Sequence, residues 1–221
     1  MSEPQPSVPL RGIIYEGPEA DARLADLGLD TEGVSIALEL ALGDRLACTT
    51  FDPPMFAGQT RSARLVRYLR EEYVGRRGGW RPEDSSNYSL LVDETGELAV
   101  QVATGNEATG DALRSPRLAH TKGEMTERSV NRNAQQLNLF TGEPDDVPAG
   151  PTTWVLLVNE RHGELFAELS LPSAFSNGQI DTWAERVILP TRRFGGQETP
   201  VVELPLAPVS STPTIQRRSR L

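Results

Sequence analysis

Few residues in this chain have the types and spacing that catalysis needs. His120-Thr121-Lys122-Gly123 places one of two histidines beside the only lysine, a pair that could move a proton or hold a phosphate. A solvated loop is the preferred account of it. No carboxylate stands two residues before Lys122, where a metal-dependent nuclease site would want one. Cys48 follows Leu46 and Ala47, and a lone thiol in such company is usually core. Gly105-Asn106-Glu107-Ala108-Thr109-Gly110 has the outer glycines of a phosphate loop. However, Asp111 and Ala112 stand where lysine and serine or threonine belong, and a carboxylate there repels phosphate. A tight turn leaving a strand explains both glycines. Glu160, Glu164 and Glu168 surround the turn at 160–163, where exposed carboxylates are expected. With one cysteine, two histidines (His120 and His162) and no GxSxG, the chain shows no recognisable metal site, cofactor site or nucleophile.

The charge is more informative. The net formal charge is −9, but residues 61–81, RSARLVRYLREEYVGRRGGWR, hold seven arginines against Glu71 and Glu72. At 100° per residue Arg61, Arg64, Arg67 and Arg70 share one side of a helix, and Leu65, Val66, Leu69 and Tyr73 share the other. Arg76, Arg77 and Arg81 follow in a glycine-rich loop with Trp80. Guanidinium groups pair with phosphate, glycines allow close backbone approach, and an indole can stack on a base, so this segment is a candidate DNA contact. Solvated or carboxylate-paired arginines, as Arg67 with Glu71, and a core Trp80 are the alternative. The terminal QRRSRL adds Arg217, Arg218 and Arg220. Only Lys122 among 22 cationic residues is lysine, which fits GC-rich bacterial coding.

Gln136-Leu137-Asn138-Leu139-Phe140 gives the chain its one specific motif. QLNLF resembles the pentapeptide by which bacterial polymerases and repair proteins dock on the DNA polymerase sliding clamp, and the resemblance covers those five residues alone. It implies that the Gln136 amide hydrogen-bonds the clamp groove, that Leu137 makes a flanking apolar contact, and that Leu139 and Phe140 fill the main pocket. A short segment binds in this way when two or three side chains enter a preformed pocket and a polar group fixes the register. The residues after it, TGEPDDVPAGP, cannot bury those side chains locally and form a linker. Alternatively, Leu137 continues a helical face begun by Val130 and Ala134, and Leu139 and Phe140 fold back on the core. The implied function is a non-catalytic adaptor or regulator in bacterial DNA replication or repair. A DNA-acting enzyme recruited by the same peptide and an oligomerising scaffold are the rivals.

The rest of the chain must position these residues. With 38% hydrophobic and 24% charged residues, 221 residues suit one globular domain with tails. No stretch is apolar for long enough to span a membrane, and the N-terminus lacks a signal-peptide pattern, so a cytoplasmic protein is expected. Ala20, Leu24 and Leu27 predict a helix from Pro18 to Leu27. A second should be capped by Thr31 and ended by Gly43, and a third should run from Thr60 to Val74. SLLV (89–92) and ELAVQVA (97–103) flank a turn at 93–96, and TWVLLVN (153–159) and ELFAELSL (164–171) flank another, predicting two hairpins. Residues 182–190 supply a further strand, and 199–204 a possible one. Helices first and strands later favour an α+β fold, with N-terminal helices packed on a mainly antiparallel sheet. Expected boundaries are a disordered 1–10, a single domain over 11–204, and a flexible basic tail over 205–221. Within the domain, 104–151 forms a long polar insertion holding one helix at 127–137 capped by Thr126.

Overall fold

The structure, a computed structural model, describes residues 12–85, 87–138 and 149–193. The N-terminal half is β1 (Ile13–Tyr15), α1 (Pro18–Asp26), α2 (Thr31–Leu46), α3 (Phe56–Arg70) and a π-helical turn (Glu71–Arg76). Strands β2 (Trp80–Ser85), β3 (Tyr88–Asp93) and β4 (Leu98–Thr104) lead to α4 (Glu124–Asn138). The sheet is completed by β5 (Thr152–Arg161), β6 (Glu164–Ser176), β7 (Gln179–Ile188) and β8 (Arg192–Arg193). This is the expected α+β class. The expected strand at 199–204 and both tails lie outside the described residues.

Local chemistry moves the helix ends by a few residues. Asp30, extended at φ −150°, caps α2 by accepting from the Gly33 amide at 2.7 Å, so Thr31 is the first helical residue rather than the cap. Gly43 does not end that helix, and its carbonyl accepts from the Ala47 amide. The third helix starts earlier than its apolar spacing predicts, because the Phe56 amide bonds back to Pro53 and opens the first turn. Both predicted hairpins are present. Gly96 at φ 76° closes the first, and His162-Gly163, at φ 52° and 72°, closes the second, the two left-handed residues a twisted two-residue turn demands.

Strand order is β1-β7-β6-β5-β4-β3-β2, with β8 also paired to β6. Five of the seven pairings are antiparallel, and β1/β7 and β4/β5 are parallel. The second parallel pair explains the insertion. Parallel neighbours cannot be joined by a hairpin and need a crossover of a dozen or more residues, here 105–151. That crossover covers a face of the sheet. Leu91, Val100, Trp154, Leu156, Val158, Leu165, Ala167 and Leu169 point toward α1, α2 and α3 in the larger core. The alternate positions Val155 and Leu157 join Ala103, Leu118 and Val130 beneath the crossover, and Tyr88, Leu90, Val92 and Ala99 pack near Met125.

Two buried polar clusters hold the crossover down. Glu168, expected among exposed hairpin carboxylates, is wholly buried, because the crossover covers the side of β6 from which it projects. Arg186 on β7 meets it at 2.5 Å and also donates to the carbonyls of Asp111 and Arg114 in the crossover loop. Ser170 and the Gly110 amide supply the remaining donors to the Glu168 carboxylate, each at 2.8 Å. The Gly105–Gly110 stretch is therefore a turn that a carboxylate fastens to the sheet. In α4 the side-chain amide of Asn133 acts as a short piece of strand. It donates to the carbonyls of Thr153 (2.8 Å) and Pro172 (3.2 Å) and accepts from the Thr153 amide (2.9 Å). Pro172 has no N–H for its neighbour, so without Asn133 the first residues of β5 would bury unpaired backbone groups.

The buried pair should behave asymmetrically. Replacing Arg186→Met strands a buried carboxylate and should cost about 3–5 kcal/mol, whereas the double variant Glu168→Leu/Arg186→Met should recover part of the loss. Urea denaturation of the three proteins measures both. Equal stability of Arg186→Met and the parent would show that the pair does not hold the loop.

Candidate functional site

Helix α4 carries its buried residues at Thr126, Ser129, Val130 and Asn133, a stripe facing the sheet. Gln136 and Leu137 stand in its last turn. Leu137 is half-buried and packs against the larger core. The Gln136 side chain accepts a hydrogen bond from the Thr152 hydroxyl at 2.8 Å and donates to the Gly150 carbonyl at 3.3 Å. Thus the first three residues of QLNLF are helical, with the glutamine held by the start of β5. Leu139 and Phe140 lie outside the described residues.

Thr152 also borders a cavity of about 620 Å³, lined by Trp80, Trp154, Leu27, Leu98 and Leu171. Its charged rim holds Asp26, Asp93 and Glu97 together with Arg23, whose guanidinium lies 5.5 Å from the Trp154 ring centre and bonds Glu185 at 2.8 Å. Gly78 and Gly79, at φ 76° and 83°, turn the chain tightly into β2 at the same rim. The groove beside α4 on the other flank, about 480 Å³, has an apolar floor of Tyr88, Leu90 and Met125 below Arg128 and Arg132.

The arginine segment is charge-compensated. Arg61 meets Glu160 at 3.4 Å, a carboxylate shared with Arg45, and Arg64 meets Asp44 at 3.1 Å. Arg67 bonds Glu71 at 2.6 Å, Arg70 chelates Asp84 at 2.8 and 3.0 Å, and Arg81 bonds Glu83 at 2.8 Å. Arg76 and Arg77 converge on the buried Glu72, and Arg77 adds Asp30 at 2.9 Å. Trp80, considered as a stacking platform, is buried: its indole N–H donates to the Gly28 carbonyl and its ring meets Tyr73 edge-on at 6.1 Å. The seven arginines therefore do not form one open cationic stripe. Burial pushes the Tyr73 hydroxyl up to about 12, and it donates to the Asp30 carbonyl. Arg70, then Ser89, hold the Asp84 carboxyl down at about 2.

The other candidates carry no constellation. His120 is exposed, and neither imidazole makes a side-chain hydrogen bond with another described residue. Lys122 is half-buried, which lowers its pKa. Cys48 is half-buried with Sγ 3.7 Å from the Asp44 carbonyl. Among the described residues no three His, Cys, Asp or Glu side chains are grouped to hold a metal ion, and no helix is long and apolar enough to cross a membrane. Asn133, Thr152 and the Glu168–Arg186 pair are the residues that sequence reasoning missed. Asn133 did leave a signal, a polar residue interrupting the Val130–Leu137 stripe. No protein-family model, curated protein or solved structure matches the chain.

The Arg70 pair gives a titration test. Its stabilising effect is complete above the ordinary aspartate range and is lost as pH falls through about 2. In Arg70→Ala, carboxyl NMR should show the Asp84 midpoint rising part-way toward about 3.9, since Ser89 still donates to it. An unmoved midpoint would mean that the guanidinium is not what holds it.

Proposed function

We propose that this chain is a non-catalytic adaptor or regulator that docks on a bacterial DNA polymerase sliding clamp through Gln136, Leu137, Leu139 and Phe140. The observation that carries the reading is the match of QLNLF to the clamp-docking pattern, with its first residues on the terminal turn of α4. A terminal turn has carbonyls with no helical partner and is the part of a helix that frays most readily. Docking as an extended peptide then needs a defined local change. Gln136 gives up Thr152 and Gly150 for the clamp groove, and Leu137 leaves the edge of the core. Asn133, fixed to Thr153 and Pro172 one turn earlier, limits the unwinding and keeps the peptide tethered to a rigid body.

The arginine face adds nothing to this reading, because Arg61, Arg64, Arg67, Arg70, Arg76, Arg77 and Arg81 each have a carboxylate within 4 Å. DNA contact through them would have to break those pairs. The half-burial of Leu137 against the core favours one other reading, in which the motif is a structural helix end and the chain a scaffold.

Replacing Leu139→Ala and Phe140→Ala together should abolish binding to purified clamp, read by calorimetric titration, and leave the melting temperature nearly unchanged. Unaltered binding would refute the docking role, and earlier melting by several degrees would support the scaffold reading. Thr152→Val should tighten clamp binding roughly 2- to 10-fold, since it removes one hydrogen bond that competes for Gln136. Weaker binding in Thr152→Val would contradict the exchange of partners.

A further inference from the structure

The connection between α2 and α3 exposes an apolar surface that nothing above uses. Leu46 is 49% exposed, Phe51 98%, Met55 67% and Phe56 44%, all within eleven residues. Large apolar groups concentrated in this way mark a contact surface rather than ordinary scatter. The turn that presents them is internally bonded. The Thr49 amide donates to the Asp52 carboxylate at 2.7 Å, the Phe51 amide to the Thr49 hydroxyl at 3.2 Å, and the Asp52 amide back to the Thr49 carbonyl. Phe51 is thus held outward by its own backbone, an arrangement suited to receiving a partner without further ordering cost.

The chain itself leads to this surface. Arg192 and Arg193, the last described residues, pair with Leu165 and Glu164 as β8 and border a groove of about 880 Å³. Leu42, Gly43 and Leu46 of α2 form its opposite wall. Residues 194–221 continue from that rim, and they contain one apolar run, Val201-Val202-Glu203-Leu204-Pro205-Leu206. In an extended backbone Val202, Leu204 and Leu206 fall on one side, a three-residue apolar edge of the kind that fills a shallow groove. From Arg193 to Val202 the chain can span roughly 30 Å, ample to pass Leu46 and reach Phe51, since Leu46 already faces Arg193 across the groove.

We propose that residues 201–206 dock in their own chain on the surface formed by Leu46, Phe51, Met55 and Phe56. The contact is intramolecular, so the linker 194–200 supplies a high effective concentration and a modest apolar area suffices. It also gives a use to Leu46, which borders the groove from which the tail departs. It is independent of the clamp reading, which involves the end of α4.

Cys48, the only cysteine, stands inside this surface and permits a test on the full chain. With a nitroxide on Cys48, the amide NMR signals of 201–206 should broaden strongly. The broadening should disappear in Val202→Ser/Leu204→Ser/Leu206→Ser and should be absent when labelled unenriched protein is mixed with unlabelled 15N protein. Signals unaffected by the label would overturn the proposal, and broadening that persists in the mixed sample would replace it with contact between two copies. A label-free check uses hydrogen exchange: amides of residues 46–56 should exchange at least ~3-fold faster in the triple-serine variant than in the parent. Unchanged rates would likewise overturn it.

Discussion

The parallel pairing of β4 with β5 is the constraint from which the rest of the structure follows. Had Leu98–Thr104 and Thr152–Arg161 paired antiparallel, a short turn could have joined them and the far face of the sheet would have met water. In parallel register, from Leu98 opposite Thr152 to Thr104 opposite Val158, the chain must cross back over the sheet. The crossover carries α4, and α4 buries the second face. Strand β5 is then buried on both sides, which is why it reads as the continuous run TWVLLV rather than as an alternation.

A covered sheet face imposes a second requirement, that polar groups beneath the cover be satisfied. Glu168 and Arg186 meet it in the loop half of the crossover, and Asn133 meets it in the helical half. Breaking either leaves buried charge or unpaired backbone, a far larger penalty than losing a surface ion pair such as Arg67–Glu71. The same anchoring sets the frame for the proposed docking peptide. Asn133 is fixed to the sheet, so the three residues after it form a short lever that ends at Gln136. The paired arginines of α3 and of the π-helical turn belong to a different part of the economy: they fasten α3 to α2, to β2 and to β5 through carboxylates on each.

Much of the fold was legible because local rules and tertiary packing agree. The hairpins around Gly96 and Gly163 and the three N-terminal helices follow from turn residues and apolar spacing alone. The two parallel pairings were not legible, since strand direction is decided by which partner each strand finds. Strand β1, only three residues long, has no periodicity to read, and β2 hides behind Pro82, tolerable there because β2 is the sheet's edge. Burial of Glu168 was invisible for the same reason as the crossover: a carboxylate near a hairpin is expected to face water unless a second layer covers it. In the arginine segment, spacing correctly placed Leu65, Leu69 and Tyr73 in the core. It could not reveal that Asp30, Asp44, Asp84 and Glu160, distant in sequence, would neutralise the other side. For QLNLF, the helix reaching into the motif was anticipated to Leu137, but its start was not: α4 begins at Glu124, with the Thr126 and Glu127 amides bonded to the Gly123 carbonyl, so Thr126 is a helical residue rather than the cap.

The central claim is that a helical turn exchanges its own partners for those of a sliding clamp, and backbone hydrogen exchange with and without clamp tests it most directly. The account predicts new protection confined to residues 136–140, with Asn133 and the rest of α4 unchanged, and loss of that protection when a competing clamp-binding peptide is added. Exchange at 136–140 that is the same with saturating clamp as without it, or protection that the competing peptide does not reverse, would contradict it.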